Sequence, residues 1–455
     1  MPPAAGTGGT SIPARPAARA VPGRPACPEP SPSTSDRWST TMLKLAALLL
    51  SVSAGVAQTV ASPAEQRAAW ARKAIEHNPG HYRGYNDLAQ ALARRARETA
   101  DPAYYDQAEE ALQESFRLSP DNLESQRLRV WILLGKHEFA KALQAAVELN
   151  KKVPDDLLTY GLLTDAYAEL GNYEEAEKAC QWMLDLRPGS VAGLTRAAYL
   201  REIFGDIEGA IQFMETAYQR ILPDEVEDRA WILTHIAHLE LLRGQVAGAG
   251  KLLDRALLLF PNYHYALANL AKVRTAEKRY ADAVNLLRRR YQAAPHPENL
   301  YALAESLERA ARHEEAAKTY TEFEQKARAE MDSADNSNRE LIFFYADRAR
   351  KPAEALRVAR IEIARRQDVH TLDAYAWALF VSGNYSEARK QIERALAVGT
   401  REATLFYHAG AIATVQKDHA GAMRYLEQSL ELAPSSEVAG VARKQLARLR
   451  GNKVR

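Results

Sequence analysis

The chain has 455 residues with 60 basic and 58 acidic side chains, a formal net charge of +2, and two cysteines. Residues 1–57 hold five of the basic and two of the acidic groups, so the remainder, with 55 and 56, is close to neutral. That balance leaves no phosphate-binding footprint, so nucleic acid is not an expected partner. Two cysteines, at positions 27 and 180, build neither a disulfide framework nor a zinc motif.

Residues 1–41 are rich in Pro, Ala, Arg, Ser and Thr and show no apolar period, a composition that is expected to stay disordered. From Met42 to Ala57 a lysine, an apolar run and the small-residue ending Gly55-Val56-Ala57 have the anatomy of a secretory signal peptide. The apolar run is too short for a stable membrane span, which needs about 20 residues. Translation is expected to start at Met42, and the mature chain to be periplasmic or secreted. Cys180 is then the only cysteine left, and a lone cysteine on a helix face reads as a small buried apolar residue.

Within 58–81, residues from Ser62 to Asn78 read as an N-terminal packing helix ahead of Pro79-Gly80. From there to about 435, helical hairpins recur roughly every 34 residues. The segment 82–335 holds seven. The first carries Tyr85, Leu88, Ala89 and Leu92, then Ala108, Leu112 and Pro120; the second carries Trp131, Gly135 and Ala140. The third, from Leu157 to Pro188, is the clearest. Tyr160, Leu163, Thr164 and Tyr167 share one helix face, Gly171 suits a left-handed helix end, and Glu174, Glu175 and Glu177 load the start of the next helix. Ala176 and Cys180 face the first helix, and Pro188 stops the second.

The fourth to sixth repeat the pattern through Gly205, Ala210 and Pro223, then Gly244, Ala249 and Pro261, then Ala271, Ala283 and Pro295. The seventh keeps Leu303, Ala304, Ala316 and Tyr320. Residues 336–368 form a degenerate eighth copy and a candidate hinge. The ninth and tenth, in 369–435, recover Gly383, Ala388, Gly410, Ala422 and Pro434, and 436–455 read as a capping helix and tail.

On these residues the chain resembles the tetratricopeptide repeat family, whose pattern W-x2-L-G-x2-Y, A-x3-F, P is matched by Tyr160, Leu163, Thr164, Tyr167, Ala176, Cys180 and Pro188. The resemblance implies an all-α, right-handed superhelical solenoid of about ten antiparallel helix pairs. It also implies a non-enzymatic scaffold that binds a protein or extended peptide in the groove lined by the first helices. In the register of the family, Tyr199, Trp231, His238, Tyr265, Asn269, Lys272, Tyr301, Glu305, Asp373, Trp377 and Tyr407 are the groove candidates. Rigid aromatics beside polar groups supply contact area at low entropic cost. Family members that clamp an acidic peptide end use Lys, Asn and Arg over three repeats. Here Asn269 and Lys272 stand in one repeat without that run.

Two alternatives remain open: self-association into a homo-oligomer, and metal or enzymatic chemistry at His235-x2-His238. The two histidines share a helix face but have no third ligand at recognisable spacing. There is no Gly-rich phosphate loop or nucleophile elbow, so no cofactor is expected.

Overall fold

A computed structural model describes residues 61–433 and 438–452. The expected disordered stretch at 1–41 and leader at 42–57 lie outside the described residues, within the first of the chain's two units, Met1–Val60. The second unit begins at Ala61 and holds every described helix.

Among the described residues there are helices and no strands. α1 (Pro63–His77) packs on α2 (Tyr82–Thr99), which pairs with α3 (Ala103–Leu118). The following pairs are α4 (Leu123–Gly135) with α5 (Phe139–Lys152), α6 (Leu157–Glu169) with α7 (Tyr173–Leu186), and α8 (Val191–Ile203) with α9 (Ile207–Arg220). Next come α10 (Val226–Leu242) with α11 (Val246–Leu259), α12 (His264–Ala276) with α13 (Tyr280–Ala293), and α14 (Pro297–Arg309) with α15 (His313–Ala329). α16 (Asn338–Phe343) runs into a π-helical turn, Phe344–Arg348, and packs on α17 (Pro352–Arg365). α18 (Val369–Val381) with α19 (Tyr385–Ala397) and α20 (Ala403–Val415) with α21 (His419–Leu432) complete the pairs, and α22 (Ala439–Asn452) caps the row. The architecture is an all-α solenoid.

Local chemistry sets the boundaries. Asn122, Asp156, Ser190 and Asp368 precede α4, α6, α8 and α18, and each accepts a backbone N–H from the first turn. Pro188, Pro223, Pro261 and Pro295 all fall between helices. Within the pairs, Ala108, Ala176, Ala210, Ala249, Ala283, Ala388 and Ala422 are fully buried, letting the backbones approach closely.

The second pair differs from the register expected for it. Ala140 is exposed, and the buried small residue is Ala142. Gly135 is the last residue of α4, where a Cβ would stand 2.4 Å from the Tyr105 ring, and the left-handed turn is taken by His137 at φ 58°. Gly135 is a close-packing residue, not the left-handed residue of the turn.

The row of pairs coils until separate turns of the coil touch. Arg97, at the end of α2, reaches Glu227 and, at 2.7 Å, Asp228 of α10. His264 Nε2–H donates to the Arg97 carbonyl at 3.0 Å. His137 meets Asp335 at 3.2 Å. Arg366 pairs with Glu169 at 2.7 Å, and the Val369 N–H donates to Tyr173 Oη at 2.8 Å. The Thr400 hydroxyl donates to the Ile203 carbonyl at 2.6 Å. These contacts join the end of a first helix, or the turn after it, to the start of a later first helix or the loop before it. The seam between coils is therefore polar and directional, while apolar packing holds each coil together.

Candidate functional site

The inner face of the later pairs encloses a hollow of about 910 Å³. α14 forms one wall: Tyr301, Ala302, Glu305, Ser306 and Arg309 recur at helical spacing and all line the space. α12 adds Ala268, Ala271, Lys272 and Thr275, the π turn adds Asp347 and Arg348, and α18 and α20 add Trp377, Tyr407 and His408. Leu241, Val246, Leu432, Val438 and Val441 add apolar surface to the lining.

Most charges on this wall are paired. Arg348 lies 3.2 Å from Glu308 and 3.7 Å from Glu305, and its Nε–H donates to the Tyr320 hydroxyl. Arg290 holds Glu298 at 2.7 Å. The Trp377 indole N–H donates to Asp347 at 2.9 Å, while its ring stacks on His408 with centroids 4.1 Å apart. His408 Nδ1 is 2.8 Å from Asp373.

Lys272 differs. It pairs with no carboxylate among the described residues, though its side chain is open to the space it lines. Surrounding protein strips away bulk water and Arg290 adds repulsion, so the pKa of its ammonium is drawn below the ordinary lysine value. The Ser306 hydroxyl, on a residue 5 % exposed, has no hydrogen-bond partner among the described residues.

Of the groove candidates, Lys272, Tyr301, Glu305, Trp377 and Tyr407 line the hollow together. The other six lie elsewhere. The Tyr199 hydroxyl donates to Glu169 at 3.4 Å, and Trp231 is half-buried, tilted against His235 at 5.4 Å. Tyr265 is tilted against His264 beside the coil seam, with centroids 3.9 Å apart. The amide of Asn269 donates to the Tyr265 carbonyl. Asp373 is buried against His408 and presents no carboxylate to a partner. His238 shares Glu202 with His235, at 2.9 and 2.7 Å. Burial alone would raise the Glu202 pKa, but the two imidazoles outweigh it and hold the carboxyl well below the usual range.

That triangle occupies both histidines, and no group of three or more His, Cys, Asp or Glu among the described residues is placed to hold a metal. Cys180 is buried, its thiol pushed up to about 11 by that burial, so it is no nucleophile at neutral pH. No described helix is long and apolar enough to cross a membrane.

Ser306, Arg309, Asp347, Arg348 and His408 were not among the expected residues. The first two continue the Tyr301–Glu305 stripe of α14 and were readable from its spacing. Asp347 and Arg348 sit in the π turn, where the repeat pattern fails.

A family model described as tetratricopeptide repeat matches residues 162–225 and 374–437. Those two stretches are tetratricopeptide repeats. Solved structures similar to it include the human IFIT1 dimer with PPP-AAAA, at 14% identity and TM-score 0.46, covering 80% of this chain and 87% of that one. Yeast Tom70 is similar at 14% identity and TM-score 0.39, over 86% of this chain and 96% of that one. A tetratricopeptide repeat protein from Parabacteroides merdae is similar at 17% identity and TM-score 0.34, over 57% and 98%. No curated protein sequence matches the chain.

Proposed function

We propose that this protein is an exported tetratricopeptide repeat scaffold that holds an extended segment of another protein in the hollow of its later repeats. The observation that carries the reading is the shared wall. Lys272, Tyr301, Glu305, Trp377 and Tyr407, on four first helices, line one space of about 910 Å³.

A photo-crosslinking amino acid at Tyr407, on the wall, and at Trp182, on an exposed helix face, separates groove capture from surface stickiness. A polypeptide adduct at 407 and none at 182 supports the reading. Equal labelling at both, or none at 407, sinks it. Export rests on the leader-like stretch Met42–Ala57. Amino-terminal sequencing of the mature protein tests it, and a mature product beginning at Met1 rules it out.

A further inference from the structure

The turn between the two helices of a pair carries a left-handed glycine at Gly171, Gly205 and Gly244, with φ of 79°, 79° and 80°. At the first two the next coil is pressed against it: a Cβ would stand 2.3 Å from the Gln367 carbonyl oxygen and 2.4 Å from that of Gly399. A Cβ built at Gly244 would have no atom among the described residues within 4 Å. Gly244 of the α10–α11 turn lines the same hollow as Leu432, Ala433, Val438 and Val441. The contact that closes the seam beside the third and fourth pairs is thus open at the fifth, and Val441 is 52 % exposed.

The walls of the hollow are mostly hydrocarbon, with Ala268, Ala271, Ala302, Phe343 and the aromatic rings of Tyr301 and Trp377. Three polar groups there are unmatched, one of them the Nε of Arg290, which has no hydrogen-bond partner among the described residues although the guanidinium is paired with Glu298. Lys272 has no carboxylate partner among the described residues, whereas Arg290 and Arg348 are already neutralised. The Ser306 hydroxyl is buried without a partner among the described residues, an arrangement folded proteins rarely leave unanswered. A space of about 910 Å³ with apolar walls and a few placed polar groups has the size and lining of a small-molecule site. One unpaired cation and one unpaired hydroxyl match a monoanion with two acceptor oxygens.

We propose that the hollow is a binding site for a small amphiphilic monoanion, a carboxylate on a single apolar chain. The carboxylate meets Lys272 and Ser306, and the chain runs along Phe343 toward Val441. This goes beyond polypeptide capture and does not depend on it.

The test is titration calorimetry of the purified full chain with dodecanoate below its micellar range, with dodecanol as the uncharged probe of equal length. Saturable one-to-one binding of dodecanoate is expected, at least tenfold tighter than dodecanol. Lys272→Met should weaken dodecanoate at least tenfold and leave dodecanol unchanged, and Ser306→Ala should weaken dodecanoate severalfold. Val441→Trp should weaken both by narrowing the hollow. Lys251→Met, an exposed lysine outside the hollow, should change neither. Absence of saturable binding overturns the proposal. So does equal binding by Lys272→Met and the parent chain, which would mark plain hydrophobic sorption. Because no other protein is present, the result is independent of the crosslinking at Tyr407.

Discussion

Gly171 and Gln367 sit in loops far apart in the sequence, after the first helix of the third pair and before the ninth pair, yet the glycine's missing side chain is what lets them touch. A Cβ at 171 would stand 2.3 Å from the Gln367 carbonyl oxygen, and φ there is +79°. Gly383 has the same backbone geometry, φ +80°, but open space around it among the described residues. Gly383→Ala should therefore cost only left-handed strain, about 1–2 kcal/mol. Gly171→Ala should cost that plus about 1–3 kcal/mol for forcing backbone from backbone. Urea unfolding reads the difference, and small-angle scattering should show an expanded coil only for Gly171→Ala. Equal losses for the two variants would mean the coils do not meet as described.

The second seam contact is electrostatic. Glu227 is 5 % exposed and receives Arg97 as well as the Tyr263 hydroxyl, at 2.6 Å. Arg97→Met removes the cation and leaves a buried carboxylate beside Asp228. Because the Arg97 side chain keeps 30% exposure, the full cost of breaking a buried pair is discounted to about 2–3 kcal/mol. Glu227→Gln in the Arg97→Met background should recover much of the loss, giving a coupling above about 1 kcal/mol in a double-mutant cycle. Additive losses would show that the two groups do not interact.

The period, the buried alanines and the closing prolines were legible in the sequence because each is a local requirement repeated in register. The second pair shows the limit of that logic. Gly135 looks like a turn glycine, but it is small to admit the Tyr105 ring, and His137 makes the turn. The seam was not legible at all. Arg97 and Glu227 are 130 residues apart, and no periodicity records which face of one coil meets the next. For the same reason Asp373 and Tyr265 read as groove residues, although one is buried against His408 and the other is tilted against His264 beside the seam. Asp347 and Arg348 were hidden by the π turn, which shifts side chains off the helical register of the neighbouring repeats.

His264 gives the seam a pH dependence. Burial draws its pKa down to about 4, against the opposing pull of its hydrogen bond to the Arg97 carbonyl. The folded state thus resists a proton that the unfolded chain accepts near 6.5. Stability from the neutral imidazole is complete above about pH 6.5 and falls as pH drops toward 4, by up to about 3 kcal/mol. Glu202 is depressed in the other sense of charge, so its contribution is present above the ordinary carboxylate range and lost only at lower pH. Unfolding midpoints measured from pH 7 to 4 should slope downward in the parent chain. In His264→Gln the slope should flatten across that window even if the variant is less stable throughout. An unchanged slope would assign the titration to another group.

Trp231 and Tyr407 separate structural aromatics from those of the hollow. Trp231 packs against the clusters around Leu233 and Ile236, outside the space. Tyr407 stands on the wall, 5.8 Å from the Trp377 ring. Trp231→Ala should cost roughly 2–4 kcal/mol through the lost contacts and cavity, while the surviving folded protein binds dodecanoate as the parent does. Tyr407→Ser removes wall area from a half-buried position, so it should cost no more than about 2 kcal/mol and weaken dodecanoate severalfold. Calorimetry at a temperature where both variants are folded by circular dichroism reads the two effects apart. If Trp231→Ala loses binding and Tyr407→Ser keeps it, the site lies on the α10 face and not in the hollow.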